Sequence, residues 1–504
     1  MKVKLILAAP AAARSTFSRP IKYSLFPPLG LATLAAYLGD DDDVTLEDDN
    51  VEPLNLMDAA RPHLWSDASV AGDDPDLVGI EVYTAAANRA YEIADHYRNK
   101  GAHVALGGLH VTAMPEEASL HADTVFLGPG EDTWPAFLRD FRAGHPGKVY
   151  RSTVRTLAGQ PPVRRDLIKR NLYLAANSLV VSRGCPHACD FCSNSTFFRG
   201  GRSFYTQTVD QALAEIERLP GRHLYFLDDH IFGNREFALA LFEGMKGMGR
   251  IWQAAGTVQS ALDGDLLDRA AQAGLRSLLV GFETLNRDNL LAQRKYQNLE
   301  SDYNAAIRRF HDAGVLINAT FVFGLDEDDD TVFERTAEWA IAQGIETATF
   351  HILTPYPGTG LYRRMAEAGR ITSCNWDLYD TSHVVYRPAR MTVEQLEAGY
   401  RRAYRDFYAW SSIARSAWTK DNWRERLRHV AYAGAWGKNQ PLWNLAVLAK
   451  RVHIFSPLLV TLLDGFRGRM APTPSHAGTT GTEVEPCAPR LSSPSRQVSG
   501  ATTA

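Results

Sequence analysis

The 504-residue sequence predicts an α/β protein in three parts: a doubly wound, Rossmann-like N-terminal domain, a partial (β/α)6 barrel and a helical C-terminal region. Three observations carry this reading. Residues 1–145 alternate short apolar runs with amphipathic stretches, residues 176–385 repeat that alternation six times, and strand-like runs then stop over 386–470. Strands alternating with helices at this pitch argue for parallel sheets covered by helices. Residues 146–175, with Pro161, Pro162 and mixed charges, read as a linker. Residues 471–504, rich in Ser, Thr, Pro, Gly and Ala, read as a disordered tail that cannot offset its ordering entropy.

In the first part, Val3–Ala8 reads as a strand ending at Pro10, although Met1–Ala13 faintly resembles a signal peptide. Its apolar run, Leu5–Ala9, is too short for a convincing signal core, so the strand is preferred. Leu29–Leu38 reads as a helix, Val44–Leu46 as a short strand running into Glu47, Asp48 and Asp49, and Leu77–Val82 as a buried strand. Asn88–Arg98 is a helix, His103–Leu106 a strand before Gly107 and Gly108, Thr124–Leu127 a strand and Thr133–Arg142 a helix.

The second part offers strands at Leu179–Ser182, His223–Leu227, Trp252–Thr257, Ser277–Gly281, Leu316–Phe323 and Thr347–Leu353. Helices fit between them at Thr208–Leu219, Arg235–Met245, Gly264–Ala273, Ser301–Ala313 and Asp330–Gln343. In the third part Thr392 reads as a helix N-cap. Tyr404, Phe407, Tyr408 and Trp410 are spaced as core-facing helix positions. Leu442–Phe466 is apolar but interrupted by Lys450, Arg451, His453 and Pro457, and reads as a helix pair on the barrel in preference to a membrane-surface helix.

Apolar residues make up 45% and charged residues 22%, an ordinary globular balance. A net charge of −4 gives no global reason to bind nucleic acid or an anionic membrane. No uninterrupted apolar run is long enough to span a bilayer. Of five cysteines, three crowd into eight residues. Clustered thiols read as metal ligands in a reducing, cytoplasmic setting, since disulfide staples are spread apart.

Those three, Cys185, Cys189 and Cys192, stand at C-x3-C-x2-C spacing directly after a strand. So short a loop can wrap three thiolates around one face of a cuboidal iron–sulfur cluster, leaving one iron open. A Cys3His zinc site with His187 and inert thiols are the alternatives, the first disfavoured because His187 lies inside the loop. Cys374 and Cys487 are isolated, so no second cluster is expected.

This loop, with Phe191 before the third cysteine, resembles the signature of the radical S-adenosylmethionine (SAM) superfamily. The resemblance implies a [4Fe–4S] cluster whose open iron chelates the amino and carboxylate groups of SAM. Reduction then cleaves SAM to a 5′-deoxyadenosyl radical, with a flavodoxin- or ferredoxin-type protein as electron donor. It also implies SAM contacts from Asp229 in Phe226-Leu-Asp-Asp229, from Ser260, and from Glu283 in Gly281-Phe-Glu-Thr284, where a carboxylate can accept both ribose hydroxyls. Plain acidic-turn and rim salt-bridge roles are the alternatives for the two acids. Phe323-Gly-Leu-Asp-Glu327 lies where the family packs adenine, and Pro355-Tyr-Pro-Gly-Thr359 resembles a turn common in the branch with a B12 domain.

Four stretches before residue 145 resemble that branch's cobalamin-binding domain: Pro27–Tyr37, Asp76–Thr84, Gly107-Gly-Leu-His110 and Gly128-Pro-Gly-Glu131. Gly107 and Gly108 then let the backbone approach the cobalamin tail, and Thr84 offers it a hydroxyl; a simple tight turn is the other reading of the glycine pair. The cobalt-ligating D-x-H-x-x-G histidine is missing, since the stretch taken as equivalent reads Asp48-Asp-Asn-Val-Glu-Pro53. The resemblance implies cobalamin-dependent methylation of an unactivated carbon in a small-molecule or lipid-like substrate. A radical oxidative cyclase or rearrangement enzyme, and a non-catalytic metal or cobalamin sensor, are the rival readings.

Overall fold

The computed structural model describes residues 1–14, 20–56 and 74–465, so the expected tail and Cys487 lie outside the described residues. The first sheet has strands β1 (Lys2–Leu7), β2 (Asp43–Asp48), β3 (Leu77–Glu81), β4 (His103–Gly107), β5 (Thr124–Leu127) and β6 (Val149–Arg151). All are parallel, in the order β2-β1-β3-β4-β5-β6. Both faces are covered, which is why the strands read as continuous apolar runs. Ala90, Ile93, Ala94 and Tyr97 of helix Ala87–Asn99 pack on one face, and Leu31, Trp134, Phe137 and Leu138 on the other. Strand order reverses between β1 and β3, and such a switch point opens a ligand crevice at the carboxyl ends of the strands.

The stretch expected as a linker is structured. β6 falls inside it, fixed by Tyr150, which stacks on Phe126. Ile168, Leu172 and Tyr173 then pack with Leu29, Ala32 and Val51, and Tyr173 donates to Asp48 Oδ2 at 2.9 Å.

The second sheet is also parallel, with β7 (Ser178–Leu179), β10 (His223–Phe226), β11 (Ile251–Gly256), β12 (Leu275–Glu283), β13 (Leu316–Phe323) and β14 (Thr347–Ile352) in the order β14-β13-β12-β11-β10-β7. β7 and β14 do not pair, so the barrel is open. The strand expected at Leu179–Ser182 is split. After β7 the chain peels away, and β8 (Ser182–Gly184) pairs antiparallel with β9 (Phe204–Thr206). The cause is Asp228, whose buried carboxylate accepts the Val181 and Ser182 N–H groups in place of a ladder partner.

Helix Val393–Phe407 starts at a capping box, Thr392 with Gln395. It closes the open edge of β14: the Tyr404 hydroxyl bridges Phe350 N–H and C=O, and Tyr408 does the same at Ala348. Two side chains thus satisfy an edge that would otherwise template another strand. Trp410, expected in the core, is instead 58% exposed. Helices Trp410–Ala417, Trp423–Lys438, Gln440–Leu448 and Ser456–Asp464 follow. The last three cover the amino ends of β11 and β13, with Ile251 and Leu316 in one cluster with Tyr432, Trp443 and Leu463. No helix among the described residues is long and apolar enough to cross a membrane.

At the start of β10, buried His223 is hydrogen-bonded to Gln253 at 3.0 Å, and burial lowers its pKa from 6.5 to about 4. Below 6.5 the unfolded chain takes up a proton that the folded chain refuses. Its contribution is therefore full above pH 6.5 and is lost as pH falls towards 4. Urea unfolding at pH 7.5 and near 4.5 should show His223→Gln losing about 2–3 kcal/mol less than the parent across that window. Equal losses would mean that His223 is not held neutral.

Candidate active site

The cysteine loop leaves β8 through Gly184, whose φ is 79° and where a Cβ would collide with the Ser203 carbonyl oxygen, so only glycine fits. Cys189 is buried and Cys185 and Cys192 partly so. Burial pushes the Cys185 thiol up to about 11 and Cys192 to about 12, so both are protonated at neutral pH until a cation claims them. His187, the fourth ligand of the zinc alternative, stacks on His230 at 5.8 Å. Among the described residues, no three His, Cys, Asp or Glu side chains converge as a single ion requires. A cuboidal cluster takes each thiolate on a different iron, and three thiols around one loop fit that donor set.

Around the loop, Asp229 Oδ2 accepts the Gly184 N–H at 2.9 Å and so fixes the turn into it. Asp190 N–H donates to Gln293 O at 3.0 Å, and its carboxylate is paired with Arg364. Leu361 N–H reaches Asp190 O at 3.1 Å, so the turn at residues 355–359 and its helix, Gly360–Glu367, buttress the loop.

Glu283 closes β12 in the left-handed region, φ 64°, after a register shift between Gly281 and Glu283. Lys295 Nζ donates to its Oε1 at 2.5 Å, and both side chains are largely buried. Burial alone would lower the Lys295 pKa, but Glu283, with the adjoining cysteine loop, outweighs it and holds it above the ordinary value. Lys295 also faces the Phe191 ring at 6.0 Å. Ser260 is buried, and its hydroxyl is engaged by the Thr257 N–H at 3.2 Å.

Between the two sheets lies a cavity of about 1070 Å³. Asp48, Asn50, Glu81 and Thr84 line one side; Arg183, Ser193, Thr196 and Tyr356 line the other. Asp229, Ser260 and Glu283 are not part of its lining. Asn50 Nδ2 is committed to Asp48 Oδ1 at 2.8 Å, and burial raises the Asp48 pKa to about 6. Beside the cavity, sharing Gly30, Glu81 and Arg183 with it, a narrow slot of about 100 Å³ runs into the first sheet between Leu34, Phe126 and Trp134. Gly30, Gly79, Gly107, Gly108, Gly128 and Gly130 line it, so all four stretches singled out before residue 145 converge there. Gly108 has a reason of its own: at φ 111°, a Cβ would meet Val82 O at 2.8 Å. These glycines leave that part of the slot wall without side chains.

Sequence reasoning missed Lys295, which no spacing rule marks, and Arg183, whose guanidinium reaches Glu131 at 2.6 Å and ties the cysteine loop to the glycine slot. An arginine two residues before the first cysteine and a glutamate after Gly-Pro-Gly were the available signals.

Residues 23–138 match the B12 binding domain family and residues 179–340 the Radical SAM superfamily. The chain is 30% identical over 360 residues to bacteriochlorophyllide d C-12(1)-methyltransferase of Chlorobaculum tepidum, covering 69% of this chain and 78% of that one. It is 25% identical over 445 residues to the anaerobic magnesium-protoporphyrin IX monomethyl ester cyclase of Rubrivivax gelatinosus, covering 80% and 77%. The fold matches TsrM, a radical SAM methyltransferase from Kitasatospora setae with cobalamin and a [4Fe–4S] cluster bound, with TM-score 0.61, 15% identity and coverage of 91% and 99%. The chain belongs to the radical SAM superfamily, in the branch that joins a B12-binding domain to the radical SAM domain, and is an enzyme whose cofactors are SAM, a [4Fe–4S] cluster and cobalamin.

Proposed function

We propose that the enzyme transfers a methyl group to an unactivated carbon of an apolar, ring-bearing or lipid-like small molecule. The observation that carries this is the shared cavity: the glycine slot adjoins it on one side and Ser193 and Thr196 of the cysteine loop line it on the other. A substrate there lies beside the glycine slot and beside the segment that follows Cys192. When bound, the cluster and SAM supply a 5′-deoxyadenosyl radical, and the corrinoid supplies a methyl group.

The chain's own part is holding and shielding. Cys185, Cys189 and Cys192 hold the cluster, and Asp229 fixes their loop through Gly184. In this reading Glu283, held by Lys295, accepts the SAM ribose hydroxyls, with Ser260 supporting the neighbouring turn through Thr257. Gly107 and Gly108 flank the corrinoid tail, with Thr84 at the cavity rim. Tyr23, Phe26 and Tyr356 give the cavity an aromatic wall that favours an apolar skeleton and excludes water. A low-potential flavodoxin- or ferredoxin-type donor supplies electrons, and a reducing compartment, the cytoplasm, suits the loop.

Anaerobic reconstitution with iron, sulfide and hydroxocobalamin, then SAM, reductant and candidate ring-bearing acceptors, tests the reading. Expected are 5′-deoxyadenosine, S-adenosylhomocysteine and an acceptor heavier by one methyl, all lost to background in Cys192→Ala. Deoxyadenosine with a changed acceptor but no S-adenosylhomocysteine overturns methyl transfer in favour of oxidation or rearrangement, the reaction type of the cyclase relative.

A further inference from the structure

Between Glu425 and Asp464 the chain carries no acidic residue, against Arg426, Arg428, Lys438, Lys450 and Arg451. This is a local reversal of a chain whose net charge is −4. Within this stretch, helix Gln440–Leu448 has no charged residue and is apolar on both sides. Trp443, Ala446 and Val447 face inward. Leu442, Leu445 and Leu448 are 50%, 65% and 55% exposed. At 100° per residue those three span one arc of about 120°.

In the next turn and helix, Ile454 and Leu458 are about half exposed, and Leu442 and Leu458 both line a 70 Å³ cleft with Trp436, Trp443 and Phe455. Single exposed leucines need no explanation, but five exposed apolar side chains on successive elements do. Its border is basic. Lys438 and Arg451 are exposed, and Glu52, the carboxylate paired with Lys450, is shared with Lys169. Asp464, at the far end, pairs with Arg222.

We propose that the helices spanning 440–464 lie on an anionic lipid bilayer. Leu442, Leu445, Leu448, Ile454 and Leu458 enter the boundary between headgroups and acyl chains, and Lys438 and Arg451 sit among the phosphates. An apolar face with a cationic border is the pattern of helices that lie in a membrane interface. A second copy of this chain is the poorer occupant, because it would set the same basic border against itself. The surface also connects to the cavity. Ile21 packs in the cluster with Trp443, Ala446 and Val447, while Lys22, Tyr23 and Phe26 of the same segment line the cavity. The segment that lines the cavity therefore packs on the inward face of the helix whose outer face meets the lipid, whatever reaction the cavity hosts.

The test is co-sedimentation of the reconstituted full-length protein with vesicles of phosphatidylcholine alone or mixed with phosphatidylglycerol. Expected is binding to the mixed vesicles that weakens with salt. Leu445→Glu/Leu448→Glu, at two positions that contribute little packing, should reduce that partition by about tenfold or more with unchanged thermal unfolding. Lys438→Glu/Arg451→Glu should reduce it too. Wild type remaining in the supernatant with both vesicles overturns the proposal, as does undiminished binding of the leucine variant. A wild-type dimer that the leucine variant converts to monomer also overturns it, assigning the face to a second copy.

Discussion

Lys295→Met should destabilise the protein by about 3 kcal/mol and slow reductive SAM cleavage about 100-fold. Lys295 Nζ and Glu283 Oε1 are 2.5 Å apart, with side chains only 8% and 13% exposed. Removing one partner of such a pair strands a buried charge, which costs more than the pair itself contributes. Glu283 also holds a left-handed backbone at φ 64°, which costs a non-glycine residue about 1–2 kcal/mol. Gly281 belongs to the same device, since a Cβ there would lie 2.5 Å from Glu283 Oε1 and 2.9 Å from Lys295 Nζ. Freed of its cation, the carboxylate swings away from the barrel mouth. Lys295→Met/Glu283→Gln should therefore recover most of the stability and none of the cleavage rate. Urea unfolding and anaerobic deoxyadenosine assays read the two effects separately. Wild-type cleavage by the single variant would show that Lys295 does not position Glu283.

Much of this architecture was legible because apolar periodicity reports burial directly. β5, helix Thr133–Arg142 and helix Arg235–Met245 coincide with the stretches their patterns mark. The pattern failed where a side chain replaced a backbone partner. The apolar run at Leu179–Ser182 says nothing of Asp228, forty-six residues on from Ser182, taking the N–H groups that would have extended β7. β6 went unread because three residues with one half-buried tyrosine carry too little periodicity to stand out among prolines and charges. The grouping of the three cysteines is legible from spacing alone. Lys295 is not, because its partner lies twelve residues away across the short helix Arg287–Ala292, and only the folded strand end brings the two together. The four glycine-bearing stretches are legible as a set from their order and spacing, but that they line one slot is a property of sheet order, since β3, β4 and β5 are neighbours.

That slot gives the second large effect. Gly107→Leu should lower cobalamin retention by at least about 100-fold, while iron and sulfide content stays at the wild-type level. Gly107 ends β4 without a positive φ, so a side chain strains no backbone there. The one atom near an added Cβ is Phe126 Cβ, at an ordinary 3.4 Å. Gly107 lines the slot of about 100 Å³, and a leucine side chain entering it would take up much of that volume. Gly108→Leu would answer less clearly, because its Cβ meets Val82 backbone and the fold itself would shift. Filling an existing space disturbs a core far less than forcing backbone apart, so the Gly107 variant should unfold close to wild type. Reconstitution with hydroxocobalamin, desalting and the visible corrinoid spectrum measure retention, and iron and sulfide assays on the same sample measure the cluster. Wild-type retention would move the corrinoid tail out of the slot and into the larger cavity. Loss of corrinoid with an intact cluster would instead show that the two cofactors are held independently, one by the first sheet and the other by the cysteine loop.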